Sequence, residues 1–381
     1  MKIAVITSTR ADFSLLKNLI IKLKKNFNCK VVVSGTHFSN YYGNTYKEIY
    51  DSKIKIDYKI SSQINTKSEN SISKILSSTL VKTSEVLKKI KPDIVIVLGD
   101  RYEILGSSLA AHINRIPLAH IHGGELTYGL LDDAFRHSIT KLSQIHFVSN
   151  KVYKRRVVQL GENPSSVFIV GGMGVDSIHY NKIVSKQSLE KKLNINFKKK
   201  ILIINFHPET LNKNSAKVQI KKLLTSLNKI NDTTLIFTMP GAEIENFEVI
   251  RSINRFIKKK KFSYFIKSLG QQNYFSLLKI VDGVIGNSSS GLLEVPSFKI
   301  PTVDIGERQK GRIASSSVIN VDCDIKKIDA AIKKIYDLKY LKIVKKTINP
   351  YGKYGASNKI VNILKKVKLK NLIKKEFYDL K

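Results

Sequence analysis

The chain has 381 residues, of which 42% are hydrophobic and 25% charged, and this balance excludes a globally disordered protein. Its apolar runs are only strand-length and it has two cysteines, so we expect neither a membrane span nor a disulfide framework. The N-terminus shows no signal-peptide pattern, which predicts a cytoplasmic location. The length suits two α/β domains.

The net charge of +36 arises from 66 Lys and Arg residues against 30 Asp and Glu residues. Such an excess would favour a polyanion partner if it were concentrated on one face. Lysines instead recur along nearly every predicted helix, and no arginine-aromatic module of the single-strand-binding kind is present. We therefore expect no nucleic-acid partner and a field that attracts a small phosphate-bearing substrate.

Short apolar runs alternate with amphipathic helical stretches through the first half of the chain. The predicted strands there are Lys2–Thr7, Val31–Ser34, Asp93–Leu98, Pro117–Ile121 and Phe168–Val170. Buried, β-branched strands separated by helices are typical of a parallel sheet with helices on both faces.

The second half repeats this alternation after a polar, lysine-rich stretch that ends near residue 200. Its predicted strands are Ile201–Asn205, Leu235–Met239, Phe262–Phe265, Val284–Gly286 and Thr302–Ile305. We therefore predict an α/β protein with two doubly wound Rossmann-like domains that face a cleft. The predicted ranges are residues 1–172, residues 173–355 and a C-terminal helix over residues 356–381, a candidate for crossing back to the first domain.

Ligands of such sheets bind beyond the carboxyl ends of the strands, so the loops there are the candidate site. The loop Gly286–Gly291, with the sequence Gly-Asn-Ser-Ser-Ser-Gly, leads from a strand into a helix start. Its hydroxyls, N–H groups and helix dipole would suit a phosphate. A plain capped helix is the alternative, because Ser and Asn are common N-caps.

Acidic and imidazole side chains cluster after two strands of the first half. Asp100 follows a strand and could act as a base, or it could be an N-cap paired with Arg101. The segments His120–Glu125 and Asp132–His137 add histidines, carboxylates and one arginine. Zinc binding by His-x-His is one interpretation, although both histidines would lie on one strand face without a complete ligand set. Acid-base catalysis is the simpler one.

Further candidate residues follow other strands. His207 ends a strand before a proline, and Arg10 and Arg308 are cations suited to bidentate phosphate contacts. The glycines of residues 171–174 lack the spacing of a dinucleotide fingerprint, so we expect no nicotinamide cofactor.

Seven ordered motifs within residues 1–325 together resemble the hydrolysing UDP-N-acetylglucosamine 2-epimerases of sialic acid synthesis. They are Ser8–Asp12, Gly99–Glu103, His120–Glu125, Asp132–Lys141, His207–Glu209, Gly286–Gly291 and Gly306–Arg312. The resemblance implies a GT-B-like fold, no cofactor or metal, a homodimer and conversion of UDP-N-acetylglucosamine and water to N-acetylmannosamine and UDP. In that family UDP is eliminated as a base removes the C2 proton, and water then adds to the glycal.

The resemblance also implies roles for individual residues. The catalytic candidates are Asp100, His122, Glu125, Asp132 and His207. The candidates for binding the substrate or UDP are Arg10, Ser14, Arg101, Arg136, Leu269, Ser288, Ser289, Glu294 and Arg308.

Two departures from the family pattern bear on the substrate. His122 stands where many relatives carry Glu, which makes Glu125 the candidate replacement, and Met239–Glu243 differs from a common Pro-Asn-Ala-Asp pattern. The same chemistry on UDP- or GDP-linked N,N'-diacetylbacillosamine, for legionaminic acid, is therefore an alternative. A GT-B glycosyltransferase is a further alternative, but it would not need the cluster around Asp100.

Overall fold

The computed structural model describes residues 1–61, 69–211, 215–241, 243 and 245–380. Within these ranges the strands are β1 (Lys2–Thr7), β2 (Asn28–Val33), β3 (Tyr58–Lys59), β4 (Ile94–Leu98), β5 (Leu118–Ile121), β6 (Ile145–Val148), β7 (Val167–Ile169), β8 (Lys200–Asn205), β9 (Thr233–Thr238), β10 (Ser263–Ile266), β11 (Gly283–Gly286), β12 (Thr302–Ile305) and β13 (Val318–Val321). The α-helices are α1 (Arg10–Asn26), α2 (Tyr46–Asp51), α3 (Glu69–Ile90), α4 (Tyr102–Ile113), α5 (Asp132–Leu142), α6 (Lys151–Gln159), α7 (Met173–Tyr180), α8 (Lys186–Leu193), α9 (Ala216–Asn228), α10 (Asn246–Ile257), α11 (Gly270–Leu278), α12 (Ser290–Leu293), α13 (Ile325–Lys334), α14 (Leu338–Lys345) and α15 (Ala356–Lys366). In the described ranges no helix is both long and apolar enough to cross a bilayer.

The chain folds into two compact units. The first unit comprises Met1–Glu125, Leu131–Tyr180 and Tyr351–Lys381, and the second comprises Leu126–Leu130 and Asn181–Pro350. The helix α7, which begins at the predicted boundary, packs on α1 and belongs to the first unit because Met173 is part of that core.

The first unit contains a seven-stranded parallel sheet in the order β3-β2-β1-β4-β5-β6-β7. The strand order reverses between β1 and β4, and ligands of doubly wound sheets bind at such a switch point. Strands such as Ile94–Leu98 are buried along their whole length because helices cover both faces. The candidate site of the first unit therefore lies at the loops after β1, β4 and β5.

The second unit contains a six-stranded parallel sheet in the order β10-β9-β8-β11-β12-β13. Its switch point lies between β8 and β11, where His207 and the loop starting at Gly286 were predicted to bind anions. Two parallel, doubly wound sheets confirm the predicted α/β fold class.

The C-terminal helix is shorter than the predicted range of residues 356–381. The helix α15 ends at Lys366, where Val367 takes an extended backbone. Leu369 and Leu372 then pack against the core of the first unit. A helix that continued past Lys366 with its surface in solvent would not bring both side chains to that core. This irregular stretch, residues 367–380, is called the C-terminal tail below.

Candidate active site

The loop after β1 places Arg10 in the first turn of α1. Thr9 caps this helix, because its hydroxyl accepts from the N–H of Asp12 and the Asp12 carboxylate accepts from the N–H of Thr9. The hydroxyl of Ser14 donates to the carbonyl of Arg10 at 2.8 Å. Burial lowers the pKa of Arg10, while the charge of Glu48 opposes that shift. Arg10 and Ser14 therefore lie at the switch point, and UDP binding by them stays a prediction.

Asp100, after β4, pairs with an arginine from a different element. Arg136 on α5 donates from Nη2 to the Asp100 carboxylate and from Nη1 to the carbonyl of His122 at 2.9 Å. The adjacent Arg101 occupies the N-cap position of α4 and bonds to Glu103 at 3.3 Å. The interpretation of Asp100 as an N-cap paired with Arg101 is therefore wrong, because the fold brings α5 to the end of β4.

Arg136 is almost completely buried, with 1% of its surface exposed, whereas the Asp100 side chain is 20% exposed. A buried guanidinium that bonds a carboxylate and a carbonyl fixes the position of both. Arg136 thus orients Asp100 and the loop after β5, and a contact between Arg136 and substrate stays a prediction.

His120, at the end of β5, is fully buried. Its Nε2 lies 2.8 Å from the carbonyl of Gly99 and its Nδ1 lies 3.2 Å from the hydroxyl of Thr140. Because a carbonyl only accepts, Nε2 carries the proton of the neutral ring. Burial lowers the pKa of His120 to about 3. His120 therefore ties β5 to the loop after β4.

His122 and Glu125 form a second buried pair beyond β5. The backbone N–H of Met173 donates to Nε2 of His122 at 3.1 Å, and Nδ1 lies 3.3 Å from the Glu125 carboxylate. Since Nε2 accepts, Nδ1 carries the proton of the neutral ring and faces Glu125. Glu125 is 0% exposed and His122 is 4% exposed. The geometry suits an orienting pair, and their catalytic roles stay predictions.

The side chains of His120 and His122 contact different residues. The strand β5 ends at Ile121, and His122 adopts a left-handed backbone with φ of +67°. The expected placement of both rings on one strand face is therefore wrong. Among the residues that the structure describes, no group of three His, Cys, Asp or Glu side chains is placed to hold a metal ion.

Asp132 is the first residue of α5 and is 9% exposed. A carboxylate in the first helical turn interacts favourably with the helix dipole. Asp132 and Arg136 are four residues apart and so lie on one face of α5. The neighbouring Asp133 pairs instead with His137 at 3.6 Å.

In the second unit, the loops after β8 and β11 are joined by a reciprocal pair of hydrogen bonds. The N–H of His207 donates to the Asn287 side chain at 2.7 Å, and that side chain donates to the carbonyl of His207 at 2.8 Å. Gly286, with φ of +143°, packs so closely on the carbonyl of Asn205 that a Cβ would collide with it. Only glycine fits there, which explains the first residue of the predicted anion loop.

The imidazole of His207 is oriented by the loop after β9. The N–H of Gly241 donates to Nδ1 at 3.0 Å, so Nε2 carries the proton of the neutral ring. A protonated Nε2 can donate a hydrogen bond to a phosphate or leaving oxygen, as predicted for His207.

Arg308, after β12, completes a network among four loops of the second unit. Its Nη1 donates to the carbonyl of Asn287 at 3.1 Å and its Nη2 donates to Glu243 at 2.9 Å. Gln309, which is 2% exposed, also donates to the carbonyl of Asn287 at 2.8 Å. The loops that carry His207, Asn287 and Arg308 are therefore held together.

The remaining predicted residues lie at two helix starts. Ser289 occupies the N-cap position of α12 without a side-chain capping bond, and Glu294 follows that helix with 9% exposure. Because α12 has only four residues, the expected contribution of its dipole is small. Ser288 precedes Ser289, and Leu269, with 6% exposure, occupies the N-cap position of α11. Their contacts with UDP stay predictions.

Two residues that the sequence did not single out are central to this network. Asn287 lies inside the predicted anion loop, and its position directly after a strand was a signal for it. Glu243 lies in the segment already noted as unusual, although no local pattern indicated a contact with Arg308; Ala242 of that segment lies outside the described residues.

The family model for UDP-N-acetylglucosamine 2-epimerase matches residues 20–365 of the chain. The chain belongs to this family. The GDP/UDP-N,N'-diacetylbacillosamine 2-epimerase (hydrolyzing) of Campylobacter jejuni is 37% identical over 100% of this chain and 99% of the relative. The polysialic acid biosynthesis protein P7 of Escherichia coli is 38% identical over 100% of this chain and 97% of the relative.

Solved structures of the same family share the fold. The UDP-GlcNAc 2-epimerase of Neisseria meningitidis, solved with UDP-GlcNAc, has a TM-score of 0.83 at 22% identity over 96% of this chain and 100% of that chain. The S. aureus protein MnaA, solved with UDP, has a TM-score of 0.81 at 21% identity over the full length of both chains. These matches confirm a GT-B-like pair of Rossmann-like domains.

Membership of the UDP-N-acetylglucosamine 2-epimerase family also settles the class of enzyme. Relatives that match 98–100% of this chain are named as hydrolysing 2-epimerases of nucleotide sugars. The chain is an enzyme of this class, as its seven motifs predicted.

Proposed function

We propose that the enzyme converts UDP-N-acetylglucosamine and water to N-acetylmannosamine and UDP, as a step of sialic acid biosynthesis. The observation that carries this proposal is the network at the switch point of the second unit. There Arg308 and His207 are fixed around Asn287, at the place where a doubly wound sheet binds a nucleotide. A guanidinium and an imidazole N–H suit a leaving diphosphate.

The carboxylates of the first unit would transfer the protons in this reaction. Asp100 is the most exposed of the candidate acids and bases there, and its bond from Arg136 stabilises the charged form that a general base needs. Asp100 would remove the C2 proton while the C1–O bond to UDP breaks, which gives a glycal and UDP. Water would then add across the double bond: its oxygen would bond to C1, protonated Asp132 would give its proton to C2, and the proton lost by water would restore Asp132. Asp100 would release the C2 proton to solvent. Arg10, Ser288, Ser289 and Arg308 would stabilise the negative charge on UDP.

A second substrate is favoured by the relatives. The proteins of Campylobacter jejuni and Legionella pneumophila that are named for N,N'-diacetylbacillosamine are 37% and 30% identical to this chain. His122, which replaces a glutamate of many relatives, is consistent with a different sugar. The same elimination and hydration on UDP- or GDP-linked N,N'-diacetylbacillosamine is therefore the second candidate.

The decisive experiment is a proton NMR time course in D2O with the purified enzyme and no added metal or NAD. UDP-N-acetylglucosamine and the UDP- and GDP-linked diacetamido sugars are offered separately. We expect release of UDP and the manno-configured free sugar, deuterated at C2, from the first substrate. Turnover of a diacetamido sugar alone would move the proposal to the second substrate.

A glycosyltransferase would share the nucleotide site and would leave all three compounds intact without an acceptor. Inertness toward all of them in the NMR assay would therefore contradict the epimerase proposal and favour that alternative.

We also propose that the enzyme is a homodimer. Light scattering of the purified protein would contradict this proposal if it gave the mass of one chain.

A further inference from the structure

Both terminal nitrogens of Arg308 are already bound within the second unit. Nη2 donates to the Glu243 carboxylate and Nη1 donates to the carbonyl of Asn287, at 2.9 and 3.1 Å. The Arg308 side chain is 11% exposed and that of Glu243 is 7% exposed, so water screens this ion pair poorly. The carboxylate thus takes a place on the guanidinium that a phosphate oxygen would take.

Gly241, after β9, lies against this carboxylate. A Cβ on Gly241 would lie 2.5 and 2.7 Å from the two carboxylate oxygens of Glu243, closer than van der Waals contact allows. The buried side chain of Asn246 donates to the carbonyl of Gly241 at 3.0 Å and fixes the loop. Glu243 is therefore a buried carboxylate that lies against Gly241 and bonds to Arg308.

The same carboxylate also faces His207. Its Oε1 lies 3.8 Å from Nδ1 of His207, which accepts from the N–H of Gly241 at 3.0 Å. Both of these atoms are acceptors, so this approach places negative charge beside His207 without a hydrogen bond between them.

We propose that Glu243 is a counter-anion built into the diphosphate site, which binds Arg308 and competes with UDP for it. This inference rests on the proposed function, which supplies the diphosphate ligand. A phosphate oxygen of UDP can bond to Nη2 of Arg308 only if Glu243 gives up that bond, so Glu243 lowers the affinity for UDP. A weaker hold on UDP speeds its release, and product release limits the turnover of many enzymes.

The test is Glu243→Gln, which keeps an oxygen that can accept from Arg308 but removes the charge. UDP binding is measured by calorimetric titration at constant ionic strength, without turnover. We expect the Kd for UDP to fall about tenfold. Inhibition by UDP should strengthen in parallel and kcat should fall, because the product leaves more slowly.

A matched control is Glu190→Gln, which removes the same charge on α8 of the second unit. The Glu190 carboxylate accepts from the N–H of Phe197 at 2.9 Å, and it is outside the proposed site. In this variant the Kd for UDP should stay within about twofold of that of the wild type, as for a screened distant charge.

A double-mutant cycle tests whether Glu243 acts through Arg308. In the Arg308→Ala background, Glu243→Gln should no longer tighten UDP binding. An unchanged or raised Kd in the single variant, equal tightening in Glu190→Gln, or tightening that persists without Arg308 would each overturn the inference. Tighter UDP binding without any sugar turnover by the wild type would instead overturn only the proposed epimerase function.

Discussion

The pairing of Asp100 shows what single residues can and cannot reveal in a sequence. Its position after a buried strand correctly placed it at the carboxyl end of the sheet, because the parallel strands all end on that side. Its partner could not be found in this way. The adjacent Arg101 bonds to Glu103, and the partner of Asp100 is Arg136, which reaches it because α5 packs beside α4 and β5. Long-range partners depend on packing that local patterns do not encode.

Asp100→Asn removes a proton-transfer group and should lower turnover at least about a hundredfold. The Kd for UDP should stay within a few fold, because Asp100 is not among the proposed diphosphate ligands. Some loss of thermal stability is also expected, since the buried Arg136 keeps only a neutral partner. Turnover is followed by the NMR assay and UDP binding by calorimetry.

Asp133→Asn is the matched control for this variant. It removes the same charge at a 22%-exposed side chain that pairs with His137. Turnover should change little, because exposed ion pairs contribute little energy. Equal losses of activity in both variants, or loss of UDP binding in Asp100→Asn, would assign Asp100 a structural role.

At the scale of elements, most strands were predicted from their apolar, β-branched runs, including β1 and β12 with their observed bounds. Three strands were missed: β3 has only two residues, β6 is a four-residue run between helices, and β13 is only partly buried at the sheet edge. β3 and β13 bury too little surface to give a clear pattern, whereas in the buried strand β6 a histidine interrupts the apolar run. The C-terminal tail was missed for a different reason, because its structure depends on tertiary contacts, which include the packing of Leu369 and Leu372 and an ion pair of Lys375.

That ion pair joins the tail to Glu162, which follows α6. Lys375 donates to both oxygens of Glu162 and to the carbonyl of Ser143, each at 2.8 Å. Glu162, which is 2% exposed, also bonds to His146 at 3.0 Å and Lys141 at 2.7 Å. Although burial alone would raise the pKa of Glu162, these donors lower it to about 2.

Lys375→Ala should therefore lower the free energy of unfolding by about 1–3 kcal/mol, because a buried carboxylate loses a charged donor. The control is Lys374→Ala, which removes the same charge from an exposed position one residue earlier. Chemical denaturation followed by circular dichroism measures both variants. Equal effects would mean that the loss comes from net charge, and not from the contact with Glu162.

At the scale of the whole molecule, the two units contain buried groups with opposite pH responses. In the first unit, burial lowers the pKa of His37 and of His120 to about 3, so both stay neutral in the folded state. In the second unit, burial raises the pKa of Asp304 to about 7, against the opposing charges of two arginines. The neutral histidines contribute their full stability above pH 6.5, and this contribution falls in acid. The contribution of Asp304 has the opposite pH dependence, because it is lost as pH rises toward 7.

The contribution of His120 to stability can be separated from that of other titratable groups by how steeply the melting temperature changes with pH. Below pH 6.5 an unfolded chain protonates His120 and the folded chain does not, so acid favours unfolding. The cost from this one residue is about 2 kcal/mol at pH 5 relative to pH 8. We expect His120→Gln, which can still donate to the carbonyl of Gly99, to reduce the fall in melting temperature between pH 8 and pH 5.

Comparison of slopes keeps this test informative even if His120→Gln lowers stability at every pH. His112→Gln, at an exposed position in the last turn of α4, provides the control and should leave the slope unchanged. Scanning calorimetry at several pH values measures all three proteins. A slope for His120→Gln equal to that of the wild type would show that other groups carry the acid response. A reduced slope would assign part of the acid response to His120, which lies in the first unit and bonds to the carbonyl of Gly99, next to Asp100.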